Sequence, residues 1–585
     1  MSRSINDRAE RARIAPASRL SPRTWLVIRW VNPFVMTICS AATAFISPLL
    51  ALSLTIAGIV VQCMASDNSP RPAFTRNPGD KAIFLGKDEY GIPVHLPVSE
   101  ITRHGMLLGT TGSGKTTAIR SIADSVMRMG GGFCFIDGKS DVTDTYEVLY
   151  EIVEDCDRIE DLLVLNFLNP AQSHTFNFMT YGDADFLAEI MTGFLKQADG
   201  DQVYWQERGK ILMKALLTQL VYKRDNPDIF GEYVLTPSEV RKHLSFDSVI
   251  ALEADERYPL YHDGVPVKAR LRALLSDLPG WEEYRNKGQG GRMSPAAGEA
   301  LRQYGFFVQQ WGTALDLLAG TFNRIFDTDA PEIDMVDVVS NSRILVVLLP
   351  SLSYSLSTLQ ALGRLTLNAF KIALTSALGT RVEGDYEEIR CEVERRRPQV
   401  PFTLIADEYG SYAVEGFDTV LAQGRSLGFG VIISVQELAS LFKASETDAK
   451  RLIGNTNYKI VMKIEDTETA KFLGERAGES FFMMPNIRSE GKLVENLGNW
   501  DGTYAFQRGS RVDMRDLASL KTGEGYLFTG DDVRRFKTRF IPPRGNVREL
   551  RLMKYAKREM PGPAHAKKPI SNPAMEDAQI TKSTS

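Results

Sequence analysis

Three groups of residues have the type and spacing to act on a nucleoside triphosphate. The run Gly109-Thr-Thr-Gly-Ser-Gly-Lys115-Thr116 satisfies the pattern GxxxxGK[ST] at every fixed position. Glycines there let a loop wrap with its N–H groups facing a phosphate, and a following helix adds the positive end of its dipole. Gly109, Thr110, Thr111, Gly112, Ser113, Gly114, Lys115, Thr116 and Thr117 are therefore the candidate cradle for ATP. Lys115 would reach the β- and γ-phosphates, and the Thr116 hydroxyl would ligate Mg²⁺. The second group is Asp407-Glu408, which closes the apolar run Phe402-Thr-Leu-Ile-Ala406. Asp407 would hold the Mg²⁺ shell, and Glu408 would orient and polarise the attacking water. The third group is Gln436 and Arg425. Gln436 ends the next apolar run and can sense the γ-phosphate. Arg425, between the two runs, could complete a neighbouring subunit's site and stabilise transition-state charge. From the bare sequence, a plain surface arginine is an equal reading of it.

These groups need a rigid scaffold, and the flanking pattern supplies one. An apolar run, Met106 to Leu108, precedes the glycine-rich loop, and a helix-compatible run, Thr117 to Met129, follows it. Further short apolar runs lie at 132–137, 162–167, 343–349, 402–406, 430–434 and 458–462. Runs of this length separated by helical patterns indicate a mostly parallel sheet covered on both faces. Between Asp183 and Ile325 the strands stop and the periodicity is helical. One α/β domain interrupted by an all-α insertion accounts for this. Trp205 and Trp311 fall in apolar helical patterns of the insertion and read as core.

Composition bounds the rest. The chain has 585 residues, with 43% hydrophobic, 24% charged and a formal net charge of -4. So balanced a chain is no polycation, and contact with nucleic acid must be local. The basic residues gather at the ends, in 1–24 and 544–568, around an acidic body. The 5 Cys have no paired spacing, which suits a reducing compartment, and no metal site built from protein ligands alone is expected among them and the 6 His. From Thr24 to Met64 the only charge is Arg29. As helix that stretch spans about 60 Å, enough for two crossings of a hydrocarbon core of about 30 Å. Ser47-Pro48 sits mid-way. The arginine-rich residues before it place the N-terminus in the cytoplasm, so a two-helix hairpin with the bulk of the chain cytoplasmic is expected. One long kinked crossing is the alternative. A Pro-rich connector follows, and the last 40 residues read as a helix and a disordered tail.

Four segments together resemble a known family: the glycine-rich loop, the strand ending in Asp407-Glu408, Gly424 to Gln436, and Ile453 to Leu473. They are similar to type IV secretion coupling proteins, the TraG/TraD-type conjugation ATPases, which are related to the FtsK and HerA translocases. Asn169 to Met179 resembles the segment these proteins carry before their helical insertion. The general look is closest to the IVB branch, the IcmO/DotL-like and TrbC-like proteins. The resemblance spans about residues 24 to 545 and implies a RecA-like P-loop NTPase domain. Its divisions would be a basic N-terminus at 1–23, a transmembrane hairpin at 24–64 and a linker at 65–100. The nucleotide-binding domain would occupy 101–182 and 331–545, split by the all-α domain at 183–330, with a tail at 546–585.

The resemblance further implies a homohexamer in the bacterial inner membrane with ATP and Mg²⁺ between subunits. Gln436 would be the sensor and Arg425 the trans-acting arginine, joining Lys115 and Glu408 as catalytic residues. The implied partners are channel components and a substrate, either single-stranded DNA led by its relaxase or an effector protein. Two departures weaken any carry-over of adaptor or periplasmic partners: the C-terminal extension is short and the loop between membrane helices is nearly absent. The alternatives are a DNA pump of FtsK or HerA type and a docking receptor that uses ATP only to assemble its ring.

Overall fold

A computed structural model describes residues 12–13, 81–138, 145–195, 200, 202–285, 294–351, 353–377, 383–387, 398–413, 417–442, 445–485, 504–530, 532–543 and 550–552. The expected membrane hairpin at 24–64, the N-terminal 1–23 apart from two residues, and most of the tail lie outside the described residues. Among the described residues no helix is long and apolar enough to cross a membrane.

The apolar runs around the glycine-rich loop become strands of one eleven-stranded sheet. In chain order the strands are β1 (Ala82–Lys87), β2 (Pro93–Pro97), β3 (Gly105–Leu108), β4 (Phe133–Asp137), β5 (Leu162–Asn166), β6 (Ile344–Leu348), β7 (Phe402–Ala406), β8 (Phe429–Val435) and β9 (Tyr458–Val461). β10 (Glu479–Pro485) and β11 (Tyr504–Ser510) pair antiparallel in a separate small sheet. β12 (Glu524–Thr529) and β13 (Asp532–Thr538) return to the large one. Its spatial order is β2-β1-β13-β12-β9-β3-β8-β7-β4-β6-β5. From β9 to β5 every neighbouring pair is parallel, and from β9 to β2 every pair is antiparallel.

The parallel strands are apolar on both faces because both are covered. Met106, Leu108, Cys134 and Ile136 face one core; Leu107, Phe133 and Phe135 face the other. The second core is closed by α1 (Lys115–Arg128) and α2 (Glu147–Asp155), through residues such as Ile119, Ile122, Val126 and Leu149. Gly130, at φ 77°, ends α1 where a residue with a Cβ would be strained. The first core continues without a break into helices between 184 and 326, among them α3 (Ala184–Thr192) and α4 (Gln202–Asp225). Asp183 caps α3 by accepting the Phe186 N–H at 2.8 Å. A hairpin of two-residue strands, Tyr261–His262 and Val265–Pro266, interrupts the helices. Trp311 is fully buried there, its indole N–H donating to the Gly209 carbonyl at 2.9 Å.

The linker is expected at 65–100, yet its described part folds as β1 and β2, while the Pro-rich connector at 69–79 lies outside the described residues. Ile83, Leu85, Val94 and Leu96 are buried at 0–1% exposure, an alternation of period two on one sheet face. A turn closed by the Asp88 carboxylate joins the strands, accepting from the Tyr90 and Ile92 N–H groups at 2.9 and 2.8 Å. β1 pairs with β13, Lys87 opposite Lys537, so these residues form the outer edge of the nucleotide-binding sheet.

Candidate nucleotide-binding site

β3 is central and fully buried, and the glycine-rich loop leaves its C-terminal end. The loop is tied to both neighbouring strands. The Gly109 N–H donates to the Val435 carbonyl at 3.3 Å, and the Thr110 N–H to the Lys463 carbonyl at 2.9 Å. Gly112 and Gly114 have φ of 75° and 100°, values open chiefly to glycine. A Cβ on Gly109 would lie 2.6 Å from Ser113 Oγ, and one on Gly114 would lie 2.6 Å from the Gly523 nitrogen. α1 begins at Lys115 with no side chain capping its N-terminus. Its first N–H groups and its dipole are thus left for an anion. Lys115 is 5% exposed within this cradle.

Asp407 and Glu408 stand at the C-terminal end of β7, two strands from the loop. The Asp407 carboxylate accepts the Ser434 hydroxyl at 2.5 Å, and its backbone carbonyl accepts the Tyr412 hydroxyl at 2.8 Å. Burial first, then the Asp407 charge, pushes the Tyr412 phenol well above its ordinary value, so it remains a donor. Glu408 occupies the left-handed region at φ 56°, and its carboxylate accepts the Gln436 side-chain amide at 2.7 Å. Non-glycine residues held in that region cluster at functional sites. Gly138 makes room, since a Cβ there would lie 2.8 Å from the Glu408 Cβ.

Thr110 to Thr117, Asp407, Glu408 and Gln436 therefore share the C-terminal edge of the sheet. Arg425 does not join them. It is exposed on the turn before β8, at that strand's opposite end, about 20 Å away at 3.3 Å per residue.

The structure adds residues that the motifs did not reveal. A cavity of about 670 Å³ opens on the loop, lined by Thr110, Thr111, Gly112, Gln436, Lys463, Glu465, Leu520, Lys521 and Thr522. Lys463 pairs with Glu465 at 2.6 Å. The Gly523 N–H donates to the Ser113 carbonyl at 2.9 Å, and the Thr522 hydroxyl to the Gly112 carbonyl at 3.1 Å. Asp137, 2% exposed, ends β4 beside β7. The glycines of Thr522-Gly523-Glu524-Gly525 are the signal available for a turn there, and no spacing links it to a loop some 400 residues earlier.

These residues fit Mg²⁺ and a polyphosphate. The cradle is glycine-shaped, Thr116 stands in the first turn of α1, and a buried carboxylate is held by a hydroxyl from the strand between it and the loop. Hard oxygen donors of this kind suit Mg²⁺.

Residues 90–247 match the type IV secretion-system coupling protein DNA-binding domain, and residues 401–515 match the TraM recognition site of TraD and TraG. Over 503 residues the chain is 32% identical to the type 4 coupling protein DotL of Legionella pneumophila. That alignment covers 82% of this chain and 62% of DotL, so the chain spans less than two thirds of that relative's length. Among solved structures, unbound TrwBdeltaN70, a bacterial conjugative coupling protein, superposes with a TM-score of 0.50 at 15% identity, covering 80% of this chain and 90% of that one. The last likeness is one of fold: an α/β domain built on a largely parallel sheet. The chain belongs to the type IV coupling protein family.

Proposed function

We propose that this chain is a P-loop ATPase that couples ATP hydrolysis to moving a substrate into a type IV secretion or conjugation channel. The observation that carries the reading is the Gln436–Glu408 hydrogen bond beside the glycine-rich loop. A receptor that only binds nucleotide has no need of a carboxylate aimed and held at that edge.

Backbone N–H groups of the loop and the first turn of α1 bind the phosphates, with Lys115 on the β- and γ-phosphates. Thr116 and Asp407 would hold Mg²⁺, which when bound would neutralise phosphate charge. Ser434 fixes the Asp407 carboxylate for that task. Glu408 takes up a proton of the attacking water, and Gln436 keeps its carboxylate aimed and reports the γ-phosphate. Arg425 acts on a neighbouring copy's site, because it is remote from its own. This calls for a ring, a homohexamer in the family's manner. Residues 24–64 anchor it in the inner membrane. The substrate is single-stranded DNA with its relaxase, or an effector protein, bound without sequence reading. ATPase assays and transfer of a mobilisable plasmid with wild type, Lys115→Ala and Glu408→Gln test the reading. Both variants should lose transfer, and undiminished transfer with either would remove the motor role.

A further inference from the structure

His104 immediately precedes β3, with φ 56° and 3% exposure. Its ring reaches both sides of the turn that carries Arg425. One side is α5 (Phe417–Gly424), whose Leu421 carbonyl lies 2.5 Å from Nε2. The other is β8, whose Val431 N–H donates to Nδ1 at 3.1 Å. The amide can only donate, so Nδ1 is the acceptor and Nε2 carries the proton. Burial, opposed by the Leu421 bond and reinforced by the nearby Arg425 charge, lowers the ring's pKa to about 4, which keeps Nδ1 an acceptor at neutral pH.

Both bonds tie backbone groups that flank the turn. Leu421 offers a carbonyl from the last turn of α5, just before the chain tightens into a 3-10 turn at Arg425–Leu427. Val431 stands one residue before Ile432, the first residue of β8 to pair with β3, opposite Gly105. Between the two bonds, a Cβ on Gly424 would lie 3.5 Å from the ring's Cε1. One side chain thus pins both ends of the Gly424–Gly428 turn to the root of the strand that carries the glycine-rich loop.

We propose that His104 is the positioning residue for Arg425: it clamps the turn from both ends so that the guanidinium is presented to a neighbouring copy's nucleotide. The inference rests on the proposed trans role of Arg425 and adds the residue through which that role depends on the chain's own β3.

The test uses the 585-residue chain and mixed oligomers. His104→Ala should bind a fluorescent ATP analogue as wild type does. Its ATPase should fall at least about tenfold, as arginine-finger losses do. Mixing it with Lys115→Ala, which keeps a sound Arg425 turn, should restore activity; mixing it with Arg425→Ala should not. If His104→Ala folds poorly, His104→Asn replaces it in the same mixtures. Asparagine tolerates positive φ and its carbonyl can still accept from Val431, but it cannot reach Leu421. Full ATPase in the His104 variant, or restoration by Arg425→Ala as well, would overturn the proposal. So would loss of nucleotide binding with no restoration by either partner. A wild-type chain without ATPase would instead strike the proposed function itself.

Discussion

The Gln436 amide holds the Glu408 carboxylate at 2.7 Å across the ends of adjacent parallel strands. Glu408 is held in a left-handed backbone conformation, and the Gln436 amide is one of the contacts that aim its carboxylate. Gln436→Ala should therefore lower kcat by about 10²-fold, while nucleotide affinity changes less than about threefold. Steady-state ATPase against analogue binding separates the two. A parallel drop in affinity would show that Gln436 serves binding instead.

Ser434 should matter through the metal. Its hydroxyl is 2.5 Å from the Asp407 carboxylate, and partners that orient a ligand typically carry a factor of about 10 to 100 in metal affinity. Ser434→Ala should raise the Mg²⁺ concentration for half-maximal ATPase about tenfold. A Mg²⁺ titration that overlays wild type would show that Asp407 needs no such support.

Two glycines that meet face to face should differ in cost. Gly114→Ala drives a Cβ to 2.6 Å from the Gly523 nitrogen at φ 100°, whereas Gly523→Ala meets nothing within 4 Å and suffers only its φ of 80°. The first should lose about 3 kcal/mol and the second about 1. Chemical denaturation of both variants gives the order, and equal losses would contradict the close contact.

Lys459 sets a pH dependence. Burial, with Arg476 nearby, lowers its pKa to about 7, while the unfolded chain keeps a value near 10.5. Between those values the unfolded state binds more protons, so stability rises with pH through that window. The Lys459→Met variant should lack this rise. The wild type should gain up to about 4 kcal/mol relative to it from pH 7 to pH 10. Parallel stability curves for the two proteins over that range would refute the assignment.

Much of the site was readable because its parts are contiguous and chemically distinctive. A glycine-rich loop between an apolar run and a helix is a local pattern, and so is a strand that ends in Asp407-Glu408. The central strands were legible for a related reason, since residues such as Leu107 and Leu404 must be apolar on a sheet covered twice. β1 and β2 were less so: their alternation is short and lies just after a proline-rich stretch. Thr522 and Gly523 were invisible as site residues because only tertiary pairing brings β12 to the loop. His104 was likewise silent, since a lone histidine before a strand says nothing of Leu421 and Val431.

The outer strands of the sheet have a mechanical consequence. The Val98 N–H donates to the Lys81 carbonyl at 3.2 Å, β1 pairs with β13, and the Arg539 N–H donates to the Leu85 carbonyl at 3.1 Å while its guanidinium grips Asp124 of α1 at 2.6 Å. β13 continues into β12, whose leading turn rests on Ser113 and Gly112. A pull on the chain at Lys81 would thus load these strands in shear, with their hydrogen bonds sharing the force. The load would arrive at both ends of the nucleotide cradle, the glycine-rich loop and the helix that follows it. Tension and nucleotide occupancy would then act on one another through a single sheet edge.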